Sequence, residues 1–484
     1  MNNTKRNRTM LIDFYEFTMA NGYFNSKLKD KTVYFDMSFR KIPDEGGYAI
    51  FAGLGSIIKY IENFEFTQED LQYLKNQNLF SDDFIEYLKN FKFSGDIYCV
   101  KEGTVIFPNE PVLTIKANLV EAQLLETYLL LCFNHQSLIA TKSSRIKRAA
   151  KGRTVLEMGA RRAHGVSSAN NGSRAAYIAG IDATSNTLAD CLYGIPCSGT
   201  MAHSWVQMFD TEEEAFREYV KTYPNNATLL VDTYNTLKSG IPNAIKVIKE
   251  ELLPKNINNF AIRIDSGDLT YLSKQSRKML DDAGLSMCKI VVSNALDEYL
   301  IEALLNQGAP IDIFGVGERL VTAKSNPVFG GIYKLCAIES EENVITPKIK
   351  ISDNPVKITT PHFKKLYRIY DKDTKKAKAD LITVYDEKID ENKPLTIFDP
   401  EHTWKTKTFE EFTIKDIKET IYKNGKLVYK VPTLKQIREH AKQEQESLWD
   451  EVLRFDNPHK YYVDLSEKLW QIKLDLIKKS KKSI

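Results

Sequence analysis

The sequence of 484 residues predicts an irregular parallel α/β barrel in its middle, flanked by a mainly-β domain built from both ends of the chain. The first observation is that, from Arg153 onward, short apolar strands alternate with helical stretches. Strand centres near residues 230, 262, 291 and 313 lie 22 to 32 residues apart, which is the period of βα units. The predicted strands are Thr154–Leu156, Leu229–Val231, Ala261–Ile264, Ile290–Val292 and Ile311–Phe314.

The second observation is that polar or small residues follow the carboxyl ends of these strands. A barrel gathers its active site at that end, so these residues are the first candidates for a site. An open α/β sheet binds ligands there as well, so the pattern favours a barrel without excluding a doubly wound sheet. The residues concerned are Glu157, Asp232, Asp265, Ser293 with Asn294, and Gly315.

The segments on either side of the barrel lack this period. Strand-like runs at 33–39, 96–100, 104–107 and 112–115 precede a long amphipathic helix predicted over 119–148. After Gly330, strand-like segments continue to about Pro432, and a helical pattern covers 434–453. We predict that 1–118 and 330–484, with a helical tail, form the flanking domain and that 119–329 form the catalytic barrel.

Composition excludes several other classes of protein. Hydrophobic residues make up 43% and charged residues 27%, which argues against disorder, and no apolar run reaches the roughly 20 residues of a membrane span. The N-terminus lacks the apolar core of a signal peptide.

The net charge is +3, but four of the last seven residues are lysines, so we expect a near-neutral body that binds no nucleic acid and a frayed basic tail. Six cysteines without a C-x-x-C pair indicate neither a zinc site nor a disulfide framework, and we expect a reducing cytoplasm.

Two clusters of residues could carry chemistry close to the first predicted barrel strand. Arg161 and Arg162 directly follow that strand, and one of them could hold a carboxylate or phosphate by a bidentate fork. An internal ion pair with Glu157 is an equally good interpretation. His203 lies among small residues and hydroxyls in Gly199–Ser204, where it could act as an acid, a base or a nucleophile, although a lone histidine is more often structural.

A third cluster follows the strand at 261–264. Arg263 and Asp265 share one face of that strand, because side chains alternate with a period of two. Arg263 could neutralise an anion while Asp265 binds hydroxyls or a Mg²⁺-bridged polyphosphate, or the two could simply pair inside the barrel. Gly315 and Gly317 could let backbone N–H groups approach a phosphate, but a tight turn needs the same residues. The sequence contains no P-loop motif.

Taken together, these motifs resemble those of the nicotinate phosphoribosyltransferases, and the resemblance runs nearly from end to end. The order and spacing of the motifs over so much of the chain make the match specific. The matching segments are Leu11–Met19, Glu102–Pro111, Glu121–Glu126, Glu157–Arg162, Ala183–Asn186, Ser198–Ser204, Val231–Tyr234, Ile262–Asp268, Ser293–Asn294, Asp297–Glu298, Phe314–Gly317 and Pro458–Ser466.

The resemblance implies a type II phosphoribosyltransferase that works as a homodimer with shared active sites. It would make nicotinate mononucleotide and diphosphate from nicotinate and 5-phosphoribosyl 1-diphosphate in NAD salvage. ATP would be a co-substrate, coupled through a transient phosphohistidine that the motif places at His203. Mg²⁺ would accompany the phosphorylated substrates, with ligands that the sequence does not assign.

The resemblance also implies roles for individual residues. Tyr15 of one subunit would stack on the pyridine ring bound in the other subunit. Arg263 and Thr200 would bind nicotinate. Arg161 would lie beside the substrates, and Asp265 would join His203 in catalysis by steadying the sugar through its hydroxyls. The residues implied in phosphate binding are Asn294, Gly315 and Gly317.

Four positions depart from the pattern that is usual in this family. Two rival functions also stay open. His164 stands where glutamine is common, Met201 where histidine is, and Asn235 where an acidic residue is. Glu318 replaces a usual threonine, and its carboxylate would repel a phosphate. The rivals are a phosphoribosyltransferase for another pyridine, such as nicotinamide or quinolinate, and a catalytically silent homologue that binds nucleotide.

Overall fold

The structure is a computed structural model that describes residues 8–354 and 357–481. Residues 1–7, on which the predicted lack of a signal peptide partly rests, and Lys482 of the basic tail lie outside the described residues. The chain divides into two compact units, one of Met1–Leu138 with Val328–Ile484 and one of Ile139–Pro327. Residues 119–138, which we predicted within the barrel, fall in the first unit, where Tyr128 stacks on Tyr60 and Phe133 contacts Phe39 edge to face.

The N-terminal part of the first unit begins with helices and short strands. The single helix predicted over 119–148 is wrong, because the chain forms two helices that are separated at the buried residues Leu124 and Leu125. The elements are α1 (Phe14–Phe24), β1 (Thr32–Phe39), β2 (Ala49–Ile50), α2 (Leu54–Glu62), α3 (Gln68–Asn76), α4 (Asp82–Lys89), β3 (Asp96–Val100), β4 (Val105–Ile106), β5 (Leu113–Asn118), α5 (Leu119–Gln123) and α6 (Glu126–Ala149).

The second unit alternates strands and helices, as the βα period predicts. Two π-helical turns, Thr236–Gly240 and Ile248–Leu252, flank the helix that follows the third strand. The elements are β6 (Thr154–Glu157), α7 (Val166–Ile178), β7 (Ala183–Thr184), α8 (Thr187–Tyr193), α9 (His203–Gln207), α10 (Glu212–Thr222), β8 (Ala227–Leu230), α11 (Ile241–Val247), β9 (Phe260–Ile264), α12 (Leu269–Asp282), β10 (Lys289–Asn294), α13 (Glu298–Asn306), β11 (Ile313–Val316) and α14 (Glu318–Val321).

The six strands of the second unit form one parallel sheet in the order β7-β6-β11-β10-β9-β8. The first strand of the unit pairs with the last, with Glu157 opposite Val316, so the neighbours follow a cyclic order. A doubly wound sheet would put its third or fourth strand there instead, so the predicted parallel barrel class is confirmed as a curled half-barrel. Its two edge strands are β7 and β8, and the chain that follows β7 bridges Thr184 with Cys197.

Two details of the predicted barrel need correction. The two-residue strand β7 was not predicted, because two residues show no periodicity. Glu157, Ser293, Asn294 and Gly315 lie within the last residues of their strands rather than after them. The parallel ladder continues through the pairs Ser293–Gly315, Asn294–Val316 and Val316–Glu157.

The C-terminal segment completes the first unit, in which β1 lies between β12 and β5 in a seven-stranded antiparallel sheet of order β13-β12-β1-β5-β3-β19-β20. A four-stranded sheet, β18-β14-β15-β21, lies in the same unit. Both chain ends therefore build one flanking domain with mostly antiparallel sheets, as predicted, in which β15 and β21 pair in parallel. The elements are β12 (Gly331–Glu339), β13 (Ile345–Pro347), β14 (Lys364–Asp371), β15 (Ala377–Val384), β16 (Leu395–Phe398), β17 (Thr406–Phe409), β18 (Phe412–Asp416), β19 (Lys418–Lys423), β20 (Lys426–Leu427), α15 (Leu434–Glu446), β21 (Val463–Leu465) and α16 (Glu467–Lys481).

The basic tail is not frayed as far as it is described. Lys478 and Lys479 belong to α16. The apolar residues Leu469, Trp470 and Leu476 lie along this helix, and Leu469 is completely buried. In the two described stretches of the chain, no helix is long and apolar enough to cross a membrane.

Candidate active site

An open pocket of about 470 Å³ lies in the second unit at the carboxyl ends of its parallel strands. Its volume falls within the range of small-molecule sites. Eight of the nine predicted site residues line it, and the ninth, Tyr15, belongs to the first unit. The lining residues are Met158, Arg161, Arg162, Ser185, Gly199, Thr200, Met201, Ala202, His203, Leu230, Arg263, Asp265, Ser293, Asn294, Ala295, Gly315, Gly317 and Glu318.

Arg263 is the best-held cation in this pocket. Its Nε donates to Ser293 Oγ at 2.8 Å, and its Nη1 donates to Thr200 Oγ1 at 3.0 Å and to the Met201 carbonyl at 3.4 Å. Its Nη2 donates to Asp265 Oδ1 at 3.1 Å, so the internal Arg–Asp pair exists. A guanidinium carries five N–H groups, and these four bonds leave one N–H of Nη2 for a ligand.

Asp265 is fixed from three sides and still faces the pocket. Its Oδ1 accepts from the Ser293 hydroxyl as well as from Arg263, and its backbone N–H donates to Asp232 Oδ2 at 2.9 Å. Oδ2 of Asp265 makes no hydrogen bond to these residues and lies 3.9 Å from His203 Nε2. The carboxylate therefore has one oxygen directed at the histidine and at any ligand between them.

His203 is the first residue of α9 and is partly exposed to the pocket. Its Nδ1 lies 3.1 Å from Thr233 Oγ1, and this hydroxyl orients the ring. The small neighbours Gly199 and Ala202 leave space beside the imidazole. The arrangement suits a histidine that exchanges a proton or a phosphoryl group with a ligand.

The two arginines after β6 are exposed, and neither pairs with Glu157. Glu157 is buried and accepts instead from the Gly159 N–H and from the hydroxyls of Ser173 and Thr184. Within residues 8–354 and 357–481 the guanidinium groups of Arg161 and Arg162 have no hydrogen-bond or ion-pair partner. The structure thus leaves both cations available for an anion in the pocket.

The adjoining wall is built from backbone at the ends of β10 and β11, and β11 pairs directly with β6. A Cβ at Gly315 would meet Met158 Sδ at 2.8 Å and Ser293 Cβ at 3.2 Å, so a side chain there would displace Met158, which lines the pocket. Asn294 has a φ of 131°, a conformation that residues other than glycine rarely adopt and that is concentrated at functional sites. Exposed backbone of this kind is suited to close contact with a phosphate.

Glu318 adds a carboxylate to this wall, but its charge is balanced. Lys324 Nζ lies 3.1 Å from Glu318 Oε1, and this hydrogen bond, with the charges of Lys324, Arg162 and Arg319, lowers the pKa of the Glu318 carboxyl. The repulsion expected from the sequence is therefore offset by a lysine six residues downstream, a contact that sequence spacing did not predict.

The other three departures from the family pattern have simple local roles or none. Met201 is buried, and its carbonyl accepts from Arg263. Asn235 caps the π-helical turn at Thr236–Gly240 by accepting from the Lys238 N–H at 2.9 Å. His164 is exposed, and nothing in the structure explains its identity.

Tyr15 is partly exposed on α1 beside other exposed apolar side chains, Leu11, Phe14 and Met19. Burial and the nearby Glu126 carboxylate raise the pKa of the Tyr15 phenol, so the ring carries its proton at neutral pH. The adjacent Glu16 is fully buried, and burial raises the pKa of its carboxyl to about 8.

Sequence reasoning did not assign Thr233 or Lys324 to the site, and it marked Ser293 only as a residue at a strand end. Ser293 bridges Arg263 and Asp265, Thr233 holds His203, and Lys324 pairs with Glu318. Ser293 and Thr233 sit at the strand ends that the pattern marked, but a hydroxyl carries no distinctive sequence signal. In the part of the chain that the structure describes, no group of three or more histidine, cysteine or acidic residues could hold a metal ion.

A second, smaller polar cavity of about 40 Å³ lies wholly in the first unit, and no sequence motif marked it. It is lined by Ser38, Arg40, Asn109 and Lys334, and by Lys364, which pairs with Asp36 at 2.7 Å. Its lining of cations and hydrogen-bond donors suits a small anion.

Family models, related sequences and a solved structure all indicate the same family. Models of the nicotinate phosphoribosyltransferase (NAPRTase) N-terminal domain, family and C-terminal domain match residues 10–134, 154–391 and 363–473. A nicotinate phosphoribosyltransferase of Bacillus subtilis (strain 168) is 46% identical over 472 residues, covering 98% of this chain and 96% of that protein. One of Caenorhabditis elegans is 34% identical over 524 residues, covering 96% and 92%. The crystal structure of human nicotinic acid phosphoribosyltransferase superposes with a TM-score of 0.84 at 26% identity, covering 97% of this chain and all of that one.

Proposed function

This chain belongs to the nicotinate phosphoribosyltransferase family, and from that premise we propose that it joins nicotinate to 5-phosphoribosyl 1-diphosphate for NAD salvage. The products are nicotinate mononucleotide and diphosphate. The bond that forms links the pyridine nitrogen to ribose C1, and the bond that breaks links C1 to the diphosphate oxygen.

The observation that carries this proposal is the guanidinium of Arg263 in the pocket wall. It keeps one N–H for a ligand, and the hydroxyl of Thr200 lies beside it. A carboxylate on the pyridine ring supplies the anion that this N–H requires. Neutral nicotinamide would offer this cation a carbonyl oxygen but no opposing charge, which disfavours that rival substrate.

The remaining pocket residues suit the phosphorylated substrate. Positive charge develops on the sugar as the diphosphate leaves, and the carboxylate of Asp265 stabilises that charge through the ribose hydroxyls. Arg161 and Arg162 provide cations for the leaving diphosphate, whose charge they neutralise. Asn294, Gly315 and Gly317 line the wall that receives the 5-phosphate.

We further propose that ATP drives the synthesis through His203. A ring nitrogen of His203 attacks the γ-phosphorus of ATP, ADP leaves, and hydrolysis later releases phosphate from the histidine. Support comes from the exposure of the ring to the pocket and from the hydroxyl of Thr233 that orients it. The extra negative charge on the histidine would change how the neighbouring carboxylate of Asp265 is held.

Mg²⁺ is proposed to enter with the phosphorylated substrates. The pocket offers the hard oxygen ligands that this ion prefers, in Asp265 and Glu318, and Asp232 nearby has a buried Oδ1 without a hydrogen-bond partner in the described residues. These few carboxylates fit an ion that keeps phosphate oxygens and waters as its other ligands. When bound, Mg²⁺ neutralises charge on the diphosphate.

A homodimer with shared active sites and a cytoplasmic location complete the proposal. The exposed apolar side chains Leu11, Phe14, Tyr15 and Met19 on and before α1 support a face that a second copy covers, from which Tyr15 would reach the partner's pyridine ring. All six cysteines are free thiols, which suits a reducing compartment.

The test is mass-spectrometric detection of product from nicotinate, phosphoribosyl diphosphate and Mg²⁺, with and without ATP. Nicotinate mononucleotide that increases with ATP, together with ADP, is the expected result. Parallel reactions with nicotinamide and quinolinate measure the rival substrates, and product from either in place of nicotinate would refute the substrate assignment. Tight binding of nicotinate mononucleotide with no turnover at any ATP concentration would favour the silent homologue.

A further inference from the structure

Glu157 directly precedes the pocket residue Met158, and it is unusual because it is a buried carboxylate whose hydrogen bonds come from neutral donors. It is 1% exposed at the end of β6. Among residues 8–354 and 357–481 no lysine, arginine or histidine pairs with it, and all its hydrogen bonds come from neutral donors. Burying a charge in this way is costly, and an apolar residue would pack there more cheaply.

The donors belong to three separate segments. Oε1 accepts from the Gly159 N–H, and Oε2 accepts from Ser173 Oγ at 2.8 Å and Thr184 Oγ1 at 2.6 Å. Ser173 is on α7 and Thr184 is on β7, and both are buried. Glu157 therefore ties the turn after its own strand to the helix and strand beside it.

The turn that Glu157 holds, which begins at Gly159, packs tightly against Gly317 and Val321. At Gly159, an added Cβ would meet Val321 Cβ at 2.7 Å and the Gly317 carbonyl at 2.8 Å. Arg161 and Arg162 follow in the same turn after Ala160, and the Arg162 N–H donates to the Gly159 carbonyl at 2.8 Å. The position of Gly159 thus sets the arginine pair and the Gly317 turn together.

From this geometry we infer that Glu157 is a positioning residue for the phosphate end of the site. Its Oε1 holds the Gly159 N–H, and through it the carboxylate fixes the spacing between the Arg161–Arg162 pair and Gly317. Glu157 touches no substrate itself. The inference rests on the proposed function only in naming the ligand as phosphoribosyl diphosphate.

This role predicts how Glu157 variants bind phosphoribosyl diphosphate. Glu157→Ala removes the acceptor for the Gly159 N–H and is expected to weaken calorimetric binding of phosphoribosyl diphosphate with Mg²⁺ about 10- to 100-fold. In Glu157→Gln the amide oxygen still accepts from Gly159, while its NH₂ group donates to the two hydroxyls. We therefore expect Glu157→Gln to restore the affinity to within about threefold of wild type.

Two further variants separate positioning from loss of folding. Gly159→Ala has an allowed φ of −98° but places a methyl group against Val321, so it shifts the same turn with Glu157 intact and is expected to weaken binding as well. Ser173→Ala is the matched control, since it removes one hydrogen bond to Glu157 but leaves the Gly159 contact. Its affinity should equal that of wild type even if its melting temperature falls.

A double-mutant cycle completes the test on the full chain. If Glu157 acts through the arginine pair, Glu157→Ala should cost less than about threefold when Arg161→Ala is already present. Wild-type affinity in Glu157→Ala, equal loss in Glu157→Gln and Glu157→Ala, or additive effects with Arg161→Ala would each overturn the inference. Because binding is measured directly, these outcomes are separate from whether wild-type protein makes nicotinate mononucleotide, which tests the proposed function.

Discussion

Replacing Arg263 with lysine tests the proposed recognition of the nicotinate carboxylate. The guanidinium reaches Ser293, Thr200 and Asp265 at the same time and still has one N–H for a ligand. A lysine has three N–H groups on one nitrogen, so it cannot replace the fork that reaches Ser293, Thr200 and Asp265 and also contact the substrate. One charge-assisted hydrogen bond to the carboxylate contributes about 1.5–3 kcal/mol, so kcat/KM for nicotinate should fall roughly 10- to 150-fold.

The assay is steady-state formation of nicotinate mononucleotide at saturating phosphoribosyl diphosphate and ATP. Most of the loss should appear as a higher KM for nicotinate. Arg277→Lys is a matched control in the same unit, because Arg277 donates to Asp281 and to the carbonyls of Leu285 and Cys288, and none of these residues lines the pocket. An Arg263→Lys enzyme whose kcat/KM for nicotinate stays within about twofold of wild type would refute this recognition.

Three other predictions follow from individual contacts. His203→Asn should abolish both ATP-stimulated turnover and transfer of ³²P from γ-labelled ATP to the protein, and retention of the label in this variant would contradict the assignment. Lys324→Gln should raise the KM for phosphoribosyl diphosphate roughly threefold by unbalancing the Glu318 carboxylate, whereas adding Glu318→Gln should restore it; an unchanged KM in the single variant would count against this balance. The raised pKa of Glu16, about 8, means that the folded protein keeps a proton that the unfolded chain loses near pH 4.3, so this group lowers the free energy of unfolding as pH rises between those values. The melting temperature of Glu16→Gln should therefore fall less than that of wild type between pH 5 and 8. Equal falls in the melting temperatures of the two proteins would contradict this reasoning.

Much of the fold could be predicted because its signals are local. The βα period depends on apolar strands of four to six residues, and five of the six barrel strands were found within two residues or so of their observed bounds. The two-residue strand β7 was missed because pairing with Leu156 and Glu157, and not its own sequence, makes it a strand. The break in the long helix at Leu124 and Leu125 is likewise a result of packing, since no proline or glycine marks it.

The sequence predicted where the candidate site lies, but it did not predict which side chains pair with one another there. Strand ends marked the residues that meet at the pocket, because parallel strands end on the same side of a sheet. The sequence left open whether Arg161 or Arg162 pairs with Glu157, and the structure shows Glu157 held by hydroxyls and a backbone N–H instead. It also left open the Arg263–Asp265 pair, which the structure shows to exist with one N–H to spare.

By itself, the sequence determined the order of the elements, the family to which the chain belongs, and the residue types available for chemistry at the strand ends. These properties depend on spacing along the chain, which a sequence displays directly. The tertiary structure decided which side chains meet: Glu157 with Gly159, Ser173 and Thr184, and Lys324 with Glu318. Such contacts depend on distances of about 3 Å between segments that folding brings together, and no local pattern of residues encodes those distances.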